Sequence, residues 1–388
     1  MQNYENAFTK KDLIRLINEP VESQYQRIIA KIGQAYAITK GDIVICFSGG
    51  KDSALILDMY CDWLTIINKT NIPVKVAWAN TTNETLAMQQ YVKQFIERTE
   101  KKYNVKIDFH EVKPANNQTV VSVIKSEGLP FVSKMVAGTL RKVMKDMEAH
   151  GITYADVKDF HNPNIQCRDA LREMGLSDTT VLALTGWSCR RGDFGTEFVL
   201  PKQWMPLLDI KRVTGENIRF SEKCCTIIKK EPVSRLNFQN MMTGEQAVES
   251  KMRESAWLQN GCNYFLPDGS VKSKPLGSVS IDAVLYALKY RNVPICSDYG
   301  DIVEYSIQNN NLSCPKTGYR CTKAQRTGCA LCGFGIKYDP ERFVRLQETE
   351  PAKVAYAFKP ISAGGLGYKE VCEYSNEYCR TKIVIPKI

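Results

Sequence analysis

The chain has 388 residues, of which 44% are hydrophobic and 24% charged, with a net charge of +10. That length is too great for one small core and predicts a large α/β domain with an appendage, or two domains; the composition is that of a globular protein. No apolar run approaches the roughly 18 residues of a membrane span, and the polar start Met1-Gln2-Asn3 does not read as a signal peptide, so a cytoplasmic protein with no membrane partner is expected. The positive charge is spread along the chain and allows an anionic partner, nucleotide or nucleic acid, without requiring one. There are 14 cysteines. In a reducing compartment clustered cysteines read as metal or redox sites, whereas isolated ones such as Cys46 and Cys61 read as small buried apolar residues.

Residues 1–40 read as a helical N-terminal extension, with amphipathic stretches at 11–18 and 22–37. An α/β unit spans 41–310, interrupted by an insertion at about 144–195, and a cysteine-rich region covers 311–388. The apolar run Ile43-Val44-Ile45-Cys46-Phe47 predicts a buried strand, and residues 54–59 predict a helix. Between them lies Ser48-Gly49-Gly50-Lys51-Asp52-Ser53. A strand, a glycine turn and a helix N-terminus form a phosphate site, because free backbone N–H groups and the helix dipole face the anion and a lysine completes the cradle. A fixed hexapeptide arises by chance in about one chain of this length in 30,000. Neither G-x-x-x-x-G-K-[ST] nor a G-x-G-x-x-G after the strand is present, which sets aside the Walker loop and the dinucleotide fingerprint.

A second strand is predicted at 74–79, a helix at 86–101 and a third strand at 105–111. This alternation predicts a doubly wound parallel sheet with ligands beyond the carboxyl ends of its strands. Residues 80–84 end the second strand at that edge, so they and 48–53 can meet on one nucleotide. The preceding hexapeptide resembles a PP-loop, and in that family this segment usually carries an acidic nucleotide contact; the resemblance makes Glu84 the candidate, with a charge complementing the helix dipole as the alternative. Residues 144–195 carry helices and a turn containing Arg190 and Arg191, read as a phosphate contact or a solvated loop. Residues 222–232 begin a helix with adjacent Cys224 and Cys225, which Pro232 is expected to stop. Gly244-x4-Glu249-Ser250-x2-Arg253 resembles a sulfonucleotide reductase pattern in which a strand-to-helix turn grips the substrate anion; the resemblance makes Lys251 and Arg253 candidate anion contacts, with ordinary helix-surface charge as the alternative.

The hexapeptide resembles the PP-loop of the ATP pyrophosphatase and sulfonucleotide reductase superfamily. Residues 128–134, 244–253, 274–295 and 326–335 follow it in an order similar to that of the phosphoadenosine phosphosulfate reductase family. The resemblance implies a nucleotide held by Ser48, Gly49, Gly50, Lys51, Asp52 and Ser53, with Lys51, Asp52 and Ser53 as the catalytic group. Asn80 stands where the family commonly has Asp.

Cys329-x2-Cys332 is a ligand pair by spacing. Adenylyl-sulfate reductases hold a 4Fe–4S cluster with a Cys-Cys pair and a distant CxxC, which implies Cys224, Cys225, Cys329 and Cys332 as ligands. A local set of Cys314, Cys321, Cys329 and Cys332 competes, and four thiolates suit iron–sulfur or zinc. The reductases carry a nucleophilic cysteine in a C-terminal Glu-Cys-Gly-Leu-His motif. This tail offers only Cys372 and Cys379 in other contexts, and Glu245-Gln246 replaces an expected arginine pair. The expectation is therefore an enzyme that binds ATP and Mg²⁺ and adenylates a substrate for sulfur transfer to nucleic acid or a small molecule. A cysteine desulfurase or a thioredoxin-type protein would be its partner. The alternatives are a reductase of adenylyl or phosphoadenylyl sulfate, and a nucleotide-binding subunit of a multi-protein defence or modification complex.

Overall fold

The structure is a computed structural model and describes residues 7–115, 118–186, 199–307 and 316–388. Arg190, Arg191 and Cys314 lie outside the described residues. The chain forms two interleaved compact units. The first contains residues 1–80, 84–113 and 232–328; the second contains 81–83, 114–231 and 329–388. Among the described residues no helix is long and apolar enough to cross a membrane.

The first unit is a doubly wound α/β layer structure. Its sheet runs in the order Ile107–Val112, Val74–Ala79, Val44–Cys46, Met241–Met242, Val271–Ser273, Asn263–Phe265. All neighbours are parallel except the last pair. The predicted alternation is found, with helices Lys51–Ile66 and Leu86–Tyr103 as the crossovers between the first three strands. Val74–Ala79 lies inside the sheet and is buried along almost its whole length, whereas Ile107–Val112 at the edge alternates with exposed residues. Phe47, Leu55, Trp78, Phe95 and Leu285 share one core. Helices Lys10–Ile17 and Val21–Thr39 match the two N-terminal amphipathic stretches, the first opened by a Thr9–Asp12 capping box.

Buried Asp58, on the Lys51–Ile66 helix, holds three elements of this unit together. It accepts from Lys102 Nζ at 2.7 Å, Tyr103 Oη at 2.8 Å and Arg291 Nε at 2.7 Å. Arg291 also donates to Asp62 at 3.0 Å. Removing one partner of a buried charge pair strands the other, so Asp58→Ala should cost about 3 kcal/mol. Asp62→Ala, at a more exposed carboxylate, should cost under about 1 kcal/mol. Urea unfolding midpoints of the two variants check the difference.

The second unit is largely helical around one core that includes Phe131, Leu140, Phe220, Phe343 and Tyr368. Its Phe131–Val132 strand pairs in parallel with Gly333–Phe334. Residues 128–134 are built into this core: Leu129 bridges Phe220, and Ser133 caps helix Lys134–Ala149 through Val136 N–H. Leu171, Val181 and Leu184, from the stretch read as an insertion, belong to the same core. Cys372 and Cys379 are buried there too.

One boundary differs from the sequence reading. Pro232 does not stop the helix that follows the cysteine pair; the chain stays helical through Ser234. A π-turn spans Thr226–Lys230, and Glu231 N–H reaches back five residues to Thr226 O. The wider turn comes where proline would otherwise remove a helical hydrogen bond and clash with the preceding turn.

Candidate nucleotide site and cysteine cavity

The Val44–Cys46 strand leads into the loop and the loop into helix Lys51–Ile66, as predicted. Gly49 has φ +74°, and a Cβ there would sit 2.4 Å from Met88 Sδ, so only glycine fits. Gly50 occupies the N-cap and offers no side chain to the helix N-terminus, where the first amide, Lys51 N–H, donates instead to the Tyr299 hydroxyl. The serines shape the loop. Ser53 Oγ donates to Gly50 O at 2.8 Å and accepts from Ser48 N–H at 3.1 Å, while Ser48 Oγ accepts from Gly50 N–H at 3.3 Å.

Lys51 is only 5% exposed. Its ammonium lies 3.2 Å from the Asp52 carboxylate and 5.6 Å from the centre of the Tyr299 ring. Burial pushes its pKa down, but Asp52 and Tyr299 together raise it above the ordinary lysine value, so the cation persists. The Tyr299 hydroxyl accepts from Lys51 N–H at 3.3 Å and from Thr327 Oγ1 at 2.7 Å.

Met241–Met242 runs parallel beside Val44–Cys46, and the sheet grows outward from this pair in both directions. The crevice beyond their carboxyl ends is the topological switch point, where ligands bind in open α/β sheets. Residues 243–250 leave the second strand at that point, and Ser250 caps helix Lys251–Asn260 through Arg253 N–H. Gly244 packs against the first turn of the loop helix: a Cβ there would lie 2.9 Å from the Asp52 carbonyl carbon. Thr243 Oγ1 is buried without a hydrogen-bond partner.

Three cations and two carboxylates surround this turn. Glu249 pairs with Arg253 and, at 2.7 Å, with Arg326; Glu245 pairs with Lys274 at 2.8 Å. Burial lowers the Arg253 pKa, Glu245 opposes that shift and Arg326 adds to it. The structure brings Arg253 into this cluster and leaves Lys251 exposed. Glu84 is buried just ahead of the N-cap Thr85, and Asn80 Nδ2 donates to Glu111 at 2.7 Å.

The second unit brings Cys224, Cys225, Cys329 and Cys332 around one small cavity, with Asn83 and Lys229 also in its wall. Thr81 Oγ1 lies 3.5 Å from Cys329 Sγ, and Asn83 O accepts from Ala330 N–H at 2.6 Å. Burial raises the Cys224 thiol, and it pushes Cys332 up to about 12 although Arg342 opposes it. Among the described residues no three His, Cys, Asp or Glu side chains converge closely enough to hold an ion. The expectation of a bound cluster therefore rests on the donor set: four thiols from two distant segments at one cavity, and a buried Asn83 Nδ2 in its wall with no acceptor. Both features fit an anionic, thiolate-bound group. Cys321, of the competing set, ends the Lys316–Cys321 strand in the first unit, where its charge interaction is with Lys51 and Asp52.

Sequence reasoning missed Thr243, Lys274, Tyr299, Arg326 and Thr327 in the first unit, and Asn83 and Arg342 in the second. Arg326 and Thr327 stand next to the CxxC segment and Lys274 opens a segment with family resemblance, so position was a usable signal for those three. Tyr299 carries no local signal. No protein-family model and no curated protein matches the chain. Among solved structures it is similar to a phosphoadenylyl-sulfate reductase from Candida auris in a phosphate complex. That match has 12% identity, covers 75% of this chain and 91% of that one, and has a TM-score of 0.33.

Gly244→Ala should lower the unfolding midpoint, because the new methyl displaces the backbone at Asp52. Urea unfolding of the variant against the parent checks this.

Proposed function

We propose that the protein is a PP-loop nucleotide enzyme that binds ATP with Mg²⁺ and adenylates a substrate, in the service of sulfur transfer. The observation that carries this reading is the buried Lys51 ammonium at the N-terminus of a helix opened by Gly49 and Gly50. In the proposed reaction a substrate oxygen attacks the α-phosphorus, the bond to the bridging oxygen breaks, and pyrophosphate leaves. Lys51 and the first-turn amides take up the negative charge that develops on the leaving group. Mg²⁺, carried by the phosphates, supplies further charge neutralisation. Asp52 keeps Lys51 charged and in place, and Ser48 and Ser53 fix the loop. Arg253, Lys274 and Arg326 lie at the neighbouring strand end, where an anionic part of the substrate would bind.

Cys224, Cys225, Cys329 and Cys332 would hold a 4Fe–4S cluster, which supplies thiolate-bound iron for sulfur or electron handling. The sulfur acceptor would be nucleic acid or a small molecule, with a cysteine desulfurase or thioredoxin-type protein as donor. Reductive cleavage of a sulfonucleotide needs an accessible thiolate instead. Cys372 and Cys379 are 0% and 1% exposed, and burial pushes the Cys379 thiol up to about 12, which favours adenylation over reduction.

Mg–ATP should bind the purified protein, and Lys51→Ala should weaken that binding at least tenfold in a chain that still unfolds cooperatively. Equal binding by parent and variant would remove the reading. Cys379→Ala should keep full nucleotide turnover; loss of sulfite release from adenylyl sulfate in that variant would favour the reductase instead.

A further inference from the structure

Two buried donors near the cysteine cavity have no acceptor. One is Asn83 Nδ2, in the cavity wall; the other is Arg342 Nε. Asn83 is 4% exposed, and its backbone is fixed by Thr81 Oγ1 at 3.3 Å from Asn83 N and by Ala330 N–H. Arg342 Nη2 donates to Cys329 O at 2.8 Å, which sets its guanidinium beside the Cys329–Cys332 segment. A buried donor without an acceptor is costly, and native structures retain few of them. Protonated thiols accept hydrogen bonds weakly, and two such donors beside four thiols are poorly matched to them. Thiolates and sulfides are the acceptors that would match, since they carry negative charge.

We infer that Asn83 and Arg342 are positioning residues for an anionic, thiolate-bound group in this cavity, donating from Nδ2 and Nε to its sulfur atoms. The inference rests on the iron–sulfur reading above and adds which of this chain's residues tune that group. Reduction adds one electron to the group, and a donor to its sulfurs stabilises the added charge. Asn83 and Arg342 therefore raise its reduction potential. Asn83 acts as a neutral donor. Arg342 adds a full positive charge, so Arg342→Lys should retain part of its effect while losing the Nε bond.

The test uses the full chain, reconstituted anaerobically with iron and sulfide and titrated electrochemically while its visible absorbance is followed. Asn83→Leu and Arg342→Gln should each shift the one-electron equilibrium toward the oxidised form about tenfold, equal to about 59 mV lower potential. Arg342→Lys should fall between parent and Arg342→Gln. A second readout comes from the metal-free chain. There Asn83→Leu should raise the thermal midpoint, because it removes an unmatched buried donor. In the loaded chain the same change should speed iron loss to a chelator. A merely structural asparagine would lower both midpoint and retention. A parent chain that takes up no iron would overturn the cluster reading and this inference together. A loaded parent whose potential equals that of both Asn83→Leu and Arg342→Gln would overturn only the assignment of these residues.

Discussion

A lysine ammonium removed from water survives as a cation only where negative charge meets it. At Lys51 that charge is the Asp52 carboxylate, 3.2 Å away, and the ring of Tyr299 lies beneath. The first unit is arranged around this constraint. Gly49 allows the turn that starts the helix, Gly244 lets the neighbouring strand end come close, and Tyr299 pins the first helical amide through its hydroxyl. The loop thus sets a charged lysine beside the first turn of its helix, the arrangement on which the proposed phosphate role rests.

The second unit sets a related problem with the opposite sign. Burial raises the Cys224 and Cys332 thiols, and Cys225 and Cys329 share the same cavity wall. Arg342 is bonded to Cys329 O beside this cavity, and Asn83 Nδ2 lies buried in its wall without an acceptor. The π-turn directly after the cysteine pair places Ile228 and Lys229 in the cavity wall. It also absorbs the proline that would otherwise end the helix.

Much of the candidate nucleotide site's backbone was legible in the sequence because it is local. Residues 43–59 contain the strand, the turn and the helix, and the second and third strands followed from their apolar runs. Pairing Cys224 and Cys225 with Cys329 and Cys332 was legible only through family resemblance, since nothing local links positions a hundred residues apart. Tyr299 could not be read: it sits in a three-residue 3₁₀ turn and reaches Lys51 across 248 positions. The continuation past Pro232 was missed because the proline rule assumes an α-helical register, which the π-turn relaxes. The interleaving of the two units was also hidden, because the core shared by residues 114–231 and 329–388 has no sequence period that announces it.

The central claim is that the loop serves cleavage at the α-phosphorus of ATP. The most direct measurement is anaerobic turnover of α-labelled ATP with Mg²⁺, with the labelled product separated and pyrophosphate assayed in parallel. The account predicts labelled AMP and equimolar pyrophosphate, both rising when the acceptor is supplied. Labelled ADP with inorganic phosphate would place the cleavage at the wrong bond and contradict it. So would intact ATP alongside sulfite released from adenylyl sulfate in the same preparation.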